Sequence, residues 1–179
     1  MFSTLTLPIV LFVTVWLIVC SICDWRKQEV PVFLTTVPLL IAVVWSALYG
    51  NYLASLLAVV MFFVTDLNTW PAIGLTILSL AFFAIIVYFI HQFTIDTVFP
   101  LFLIASYLML FYFGKTGGSD AKITVTLILL FGWQAFVFAM IPGGLVGLVG
   151  LIAGKKNWKL PFVIPITAGM MIFFAVCLL

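Results

Sequence analysis

LPIVLFVTVWLIVCSIC, residues 7–23, is an apolar run without a single charged side chain. A bilayer core requires about 20 such residues for each helical span. Of the 179 residues in the chain, 66% are hydrophobic and 7% are charged, whereas a soluble domain carries about 25% charged residues. The run therefore predicts a membrane-spanning helix, and the composition predicts that residues 1–179 form a single integral-membrane domain.

The apolar runs that follow are continuous, whereas the strands of a membrane barrel alternate polar and apolar residues. We therefore expect an all-α, polytopic helix bundle. The runs lie at residues 5–23, 31–50, 52–65, 71–90, 97–113, 123–140, 145–153 and 160–179. We interpret 5–23 as a retained span, because no basic region precedes it and no small-residue cleavage site follows it. We expect a tight turn at Gly50-Asn51 and a helix break at residues 142–144, where the sequence is Pro-Gly-Gly.

Lysine and arginine occur in only three loops of this arrangement. They are Arg26 and Lys27; Lys115 and Lys122; and Lys155, Lys156 and Lys159. Positive charge concentrates in cytoplasmic loops, so all three loops should face the cytoplasm. About eight spans with both termini outside the cytoplasm satisfy this rule, and six satisfy it if the short run 52–65 does not cross.

Two acidic residues lie where apolar runs meet these cytoplasmic loops. Asp24 closes the first run, and Asp120 lies in the loop GGSDAK, residues 117–122. A carboxylate near hydrocarbon is costly, which makes an acid there a candidate functional residue. We expect both carboxyl groups to lie at similar depth on one membrane face, where they could meet. Gly117 and Gly118 would let a backbone approach closely, since glycine has no Cβ.

The remaining chemically active side chains have simpler interpretations. Asp66 and Asp96 are expected to be solvated or to cap helices, and Glu29 to pair with neighbouring basic residues. His91 ends an apolar run and is expected to be structural. The Cys20–Cys23 pair has zinc-site spacing but no further ligands nearby, so we expect no metal and no cofactor.

Three motifs, taken together, resemble the type IV prepilin peptidases and archaeal preflagellin peptidases, the GxGD membrane aspartyl proteases. Residues 24–31, DWRKQEVP, are similar to the first catalytic segment of that family. The GGSDAK loop is similar to its Gly-x-Gly-Asp-x-Lys loop, with Ser119 in place of the second glycine. Residues 161–165, PFVIP, are similar to the stretch that opens its last span. The chain lacks the paired CxxC motifs of the long bacterial forms, so the resemblance is to the short form.

The resemblance implies an aspartic endopeptidase in the cytoplasmic membrane, with its active site facing the cytoplasm. Asp24 and Asp120 would be the catalytic pair, sharing a proton and activating water. Gly117, Gly118, Ser119 and Lys122 would form the catalytic loop and the substrate approach, Lys122 with a local structural role. The substrates implied are the leader peptides of pilin-like or archaellin-like precursors. The bilayer is the other expected partner and nucleic acid is not one, while the oligomeric state stays open.

A small proton- or cation-coupled transporter is the alternative. Its acids would bind ions, and a break at residues 142–144 would provide a discontinuous helix. The acids lie at the ends of the apolar runs and no internal repeat is evident, which favours the peptidase. A non-catalytic scaffold would leave the Asp24 and Asp120 motifs unexplained.

Overall fold

The computed structural model describes residues 7–27, 29–67, 95–113, 117–152 and 161–178. All regular secondary structure in these ranges is α-helical, which confirms the all-α part of the prediction. The helices are α1 (Leu7–Lys27), α2 (Val32–Leu48), α3 (Tyr52–Leu67), α4 (Ile95–Tyr112), α5 (Gly118–Phe131), α6 (Trp133–Ile152) and α7 (Val163–Leu178). The predicted span at 71–90, His91 and the lysines at 115, 155, 156 and 159 lie outside the described residues.

By length and composition, one helix in the described ranges, Pro8–Lys27, is sufficient to cross a membrane. Shorter apolar helical segments, of 10–17 residues, occur at Val32–Leu48, Tyr52–Phe63, Val98–Tyr112, Trp133–Val146 and Val163–Cys177. A span of about 17 residues is the lower limit for crossing hydrocarbon. The number of spans, eight or six, therefore stays a prediction.

The chain divides into two compact units. The first unit combines Met1–Pro31 with Gln134–Leu179, and the second is Val32–Trp133. In the first unit α1 packs against α7. In the second unit α2 packs against α3 and α5, and α4 packs against the same two helices. Each unit therefore contains one of the two predicted catalytic acids.

The turn predicted at Gly50-Asn51 is confirmed and joins α2 to α3. Gly50 has φ +86°, a left-handed conformation in which a residue with a Cβ is strained. The Gly50 N–H donates to the carbonyl of Ala47 at 3.0 Å, and the Asn51 N–H donates to the carbonyl of Ser46 at the same distance. These two bonds satisfy the last carbonyls of α2 and reverse the chain.

The helix break predicted at residues 142–144 is wrong. The interruption lies at Gly132, which has φ +82° and donates its N–H to the carbonyl of Ile128 at 2.9 Å. Gly132 separates α5 from α6, so the predicted run 123–140 belongs to two helices. Pro142 lies inside α6 without ending it.

Packing against α7 gives a physical reason for the continuity of α6. A proline at position 142 cannot donate a hydrogen bond to the carbonyl four residues earlier, at Phe138. The backbone of α7 approaches α6 closely at that carbonyl, where Gly169 lies against Phe138 and Ala139. A neighbouring helix that covers a freed carbonyl allows proline inside an apolar helix. The rings of Phe138 and Phe173, 5.6 Å apart, extend the same contact.

Candidate active site

Asp24 lies in the last turn of α1 and is 7% exposed. Its Oδ2 accepts a hydrogen bond of 3.0 Å from the backbone N–H of Val163, the first residue of α7. The first N–H groups of a helix have no partner within the helix, and they carry a partial positive charge. The start of α7 therefore supplies both a donor and a favourable field to a carboxyl group that is shielded from water.

A second polar link holds α1 and α7 in the same register. The hydroxyls of Ser21 and Thr167 are 2.7 Å apart, and the Thr167 hydroxyl donates to the carbonyl of Val163 at 2.9 Å. The Thr167 hydroxyl also lies 3.4 Å from the carbonyl of Leu17, and either hydroxyl can be the donor in the bond between the two side chains. The two links lie one helical turn apart, so the end of α1 is fixed against the beginning of α7.

Asp120 lies in the first turn of α5 and is half-buried. Gly117 precedes the helix at φ −72° and ψ 151°, a conformation open to any residue. A Cβ on Gly117 would lie 3.4 Å from Oδ2 of Asp120 and 3.8 Å from the Ser119 hydroxyl. A side chain at position 117 would therefore occupy the space beside the carboxylate without straining the backbone.

Gly118 and Ser119 complete the loop at the start of α5, and both are half-buried. A Cβ on Gly118 would meet Phe111 and Thr65 at 3.5 Å, an ordinary van der Waals distance. The 3.4 Å distance at Gly117 is an ordinary contact as well, so the two glycines differ in what a Cβ would meet: the Asp120 carboxylate at 117, and Phe111 and Thr65 at 118.

Lys122 is buried, with 3% of its surface exposed. Its Nζ donates to the Thr36 hydroxyl at 3.2 Å and lies 5.7 Å from the centre of the Phe62 ring. These contacts join α5 to α2 and α3, two residues after Asp120. A buried ammonium group requires such partners because its desolvation is costly. The geometry fits the local structural role expected for Lys122.

Tyr107 and Thr124 are polar residues near Asp120 that the sequence analysis did not single out. The Thr124 hydroxyl donates to the Asp120 carbonyl at 2.9 Å. The hydroxyl of Tyr107, a buried residue of α4, is hydrogen-bonded to the Thr124 side chain and lies within the field of the Asp120 charge. One sequence feature could have indicated Thr124. It lies four residues after Asp120, on the same face of the helix.

The other acids have environments that differ from those of Asp24 and Asp120. Asp96 lies in the first turn of α4, where its Oδ1 accepts a hydrogen bond of 2.9 Å from the Trp133 indole. Glu29 is exposed. In the part of the chain that the structure describes, no cluster of three or more His, Cys, Asp or Glu side chains could hold a metal ion.

Asp24 belongs to the first unit and Asp120 to the second. Each acid has its own neighbouring residues, described above. Their pairing as a dyad stays a prediction. No family model, no characterised protein and no solved structure matches this chain.

Proposed function

We propose that the chain is a membrane aspartic endopeptidase that cleaves the leader peptides of prepilin-like or preflagellin-like precursors at the cytoplasmic face. The hydrogen bond from Val163 to Asp24 is the observation that carries the proposal. It joins residues 139 positions apart in the chain. The two residues belong to separate motifs of the family resemblance, DWRKQEVP and PFVIP. A contact between these motifs gives the second of them a role, which is to hold the first catalytic acid.

The surface of α1 supports the membrane location. Large apolar side chains cover its outer face, with Leu11, Phe12 and Val15 between 56% and 59% exposed. Soluble proteins seldom expose a contiguous apolar face of this kind. Because α1 is also long enough to cross hydrocarbon, a bilayer would remove the free-energy cost of exposing this apolar face to water. Asp24, 7% exposed, would then lie at the cytoplasmic end of the span.

The proposed chemistry needs two carboxyl groups that share one proton and one water molecule. One carboxylate removes a proton from the water, and the other carboxyl group protonates the oxygen of the scissile carbonyl. Within the described residues, the structure gives Asp24 a single hydrogen bond, at Oδ2. Its Oδ1 is therefore the oxygen available for the reaction. Asp120 would be the second acid, approached across the open space beside Gly117.

The test is a cleavage assay in liposomes, using a pilin-type precursor with the wild type, Asp24→Asn and Asp120→Asn. We expect each variant to lose at least about 10³-fold in rate, because removal of one catalytic group disables the unit. Asparagine retains an oxygen that can accept the Val163 N–H, so Asp24→Asn should still fold and insert. Asp96→Asn is the matched control and should retain cleavage. Cleavage that survives in either of the first two variants would refute the dyad.

A proton- or cation-coupled transporter is the second candidate, and the burial of Lys122 is the observation that favours it. Ionisable groups buried in apolar helices often mark ion pathways. The continuity of α6 through Pro142 removes the discontinuous helix on which the transporter interpretation relied. If no precursor is cleaved, a proton-flux assay that compares Lys122→Met with the wild type in liposomes is the next test.

A further inference from the structure

A groove of about 690 Å³ runs along the surface of the first unit, between α1 and α7. On α1 its walls are formed by residues at positions 18, 21, 22, 25 and 26, and on α7 by positions 164, 167, 168 and 171. Both sets follow the spacing of one helix face. From Ile18 to Arg26 the groove is about 12 Å long, at ~1.5 Å per residue.

The side chains that line the groove change from apolar at one end to aromatic and cationic at the other. Ile18, Ile22 and Met171 are exposed apolar walls, at 41%, 49% and 38%. Trp25, 69% exposed, and Arg26 lie at the other end. Tryptophan and arginine are common at the boundary between hydrocarbon and lipid headgroups. This order of side chains matches an amphiphile with an apolar tail and an anionic head.

The two hydroxyls in the wall do not alter this apolar character. Ser21 and Thr167 bond to each other, and Thr167 also donates to a carbonyl of its own helix. Hydroxyls that are satisfied within the protein do not require a polar ligand. The apolar part of the groove therefore favours a hydrocarbon chain.

A phospholipid fits this groove better than the helix of a protein substrate. The position of the groove is the reason. Asp24 is absent from the groove walls, although Trp25 beside it is present. A precursor seated here would not reach the proposed catalytic carboxyl group.

We propose that the groove between α1 and α7 binds one acyl chain of an anionic phospholipid, with the phosphate at Arg26. The proposal rests on the membrane location in the proposed function and not on catalysis. The bound lipid would cover the outer side of the helix pair that holds Asp24. It would also anchor the end of α1 at the headgroup level, where the phosphate and the guanidinium form a charge-assisted pair.

The test measures lipid retention by native mass spectrometry of the full chain in detergent. The probes are phosphatidylglycerol and phosphatidylcholine with identical acyl chains. We expect the wild type to retain phosphatidylglycerol preferentially. Arg26→Gln should reduce that preference by about fivefold, the effect of one cation near an anionic headgroup. Lys27→Gln is the matched control, since Lys27 is an exposed neighbour that does not line the groove, and it should change the preference by less than about twofold.

A second pair of variants tests whether the apolar part of the groove binds the acyl chain. Ala168→Trp should fill the groove and lower the retention of both lipids, whereas Ala175→Trp, further along α7, should not. Equal losses from Arg26→Gln and Lys27→Gln, or unchanged retention in Ala168→Trp, would overturn the proposal. Loss of precursor cleavage in Ala168→Trp, with no lipid retained by the wild type, would assign the groove to the precursor instead. The lipid assay contains no precursor, so an inactive peptidase would leave its result intact.

Discussion

The two oxygens of Asp24 have different surroundings, and this difference can be tested through the backbone of Val163. Val163→Pro removes the N–H that bonds to Oδ2, at the first position of a helix, where proline is well tolerated. We expect the free energy of unfolding to fall by about 1.5–3 kcal/mol, the value of a hydrogen bond to a charged group. Cleavage should fall with it, because Asp24 would lose its orientation.

Val163→Ala is the control for this variant. Alanine shortens the same fully buried side chain but retains the N–H. Thermal unfolding and cleavage rates of the two variants, measured in the same detergent, separate the hydrogen bond from the packing. Equal losses in both variants would show that the bond to Asp24 contributes little.

Gly117 offers a second test, because its backbone conformation is open to any residue. Gly117→Ala would place a methyl group 3.4 Å from Oδ2 of Asp120 without straining the chain. If this carboxylate is catalytic, we expect cleavage to fall by roughly 10–100-fold, since small displacements of reacting groups have effects of that size. The melting temperature should not change.

Gly118→Ala is the comparison for Gly117→Ala, because its methyl group would meet only Phe111 and Thr65, both at ordinary contact distance. Near-normal cleavage is expected in this variant. If Gly118→Ala were the more damaging change, the proposed path of the substrate past Gly117 would be wrong.

The close contact between α6 and α7 requires a residue without a side chain at position 169. A Cβ on Gly169 would lie 2.7 Å from Cα of Ala139 and would overlap the carbonyl of Phe138. Gly169→Ala should therefore push the helices apart and lower the free energy of unfolding by about 1–3 kcal/mol. For a chain of this length that corresponds to a drop of roughly 2–12 °C in the melting temperature.

Gly144→Ala is the matched control on the opposing helix. A Cβ there would meet nothing within 4 Å, and alanine is favoured over glycine inside a helix by up to about 1 kcal/mol. This variant should be as stable as the wild type or slightly more stable. A Gly169→Ala variant that unfolds at the wild-type temperature would contradict the close contact between α6 and α7.

The two candidate helix breaks show how far local sequence patterns predict the elements. The all-helical class and the turn at Gly50 follow from continuous apolar runs and from local conformational preference. Pro142 and its two following glycines are stronger local breakers than the isolated Gly132, yet α6 continues through them. The freed carbonyl of Phe138 is covered by Gly169, which lies on another helix. A partner so distant in sequence leaves no local signal.

At the scale of the whole molecule, the proposed topology places the two ends of α2 on opposite sides of the membrane. In a background without cysteine, we expect Glu29→Cys to react with an impermeant maleimide only from the cytoplasm. Asn51→Cys should react only from the other side. Both positions are at least partly exposed, so a lack of access to the protein surface would not prevent labelling. Labelling of both from one side would mean that α2 does not cross, and the span count would change.

Sequence motifs were sufficient to nominate Asp24 and Asp120, since charged residues are rare in this chain and stand out. They were not sufficient to show what surrounds each acid. The donor to Asp24 is a backbone group in α7, and Lys122 is buried against side chains of α2 and α3. Contacts between distant elements depend on tertiary packing, which local composition does not encode.

The first unit is assembled from two stretches of the chain that the ribosome produces at different times. Asp24 and Val163 are 139 residues apart, so at ~5–20 residues per second α1 precedes its partner by about 7–28 s. The second unit is continuous in sequence and can form during that interval. Until α7 follows, the carboxyl group of Asp24 has no helix terminus to bind. In the enzyme that we propose, the first catalytic group would therefore be held in place only after α7 has been synthesised.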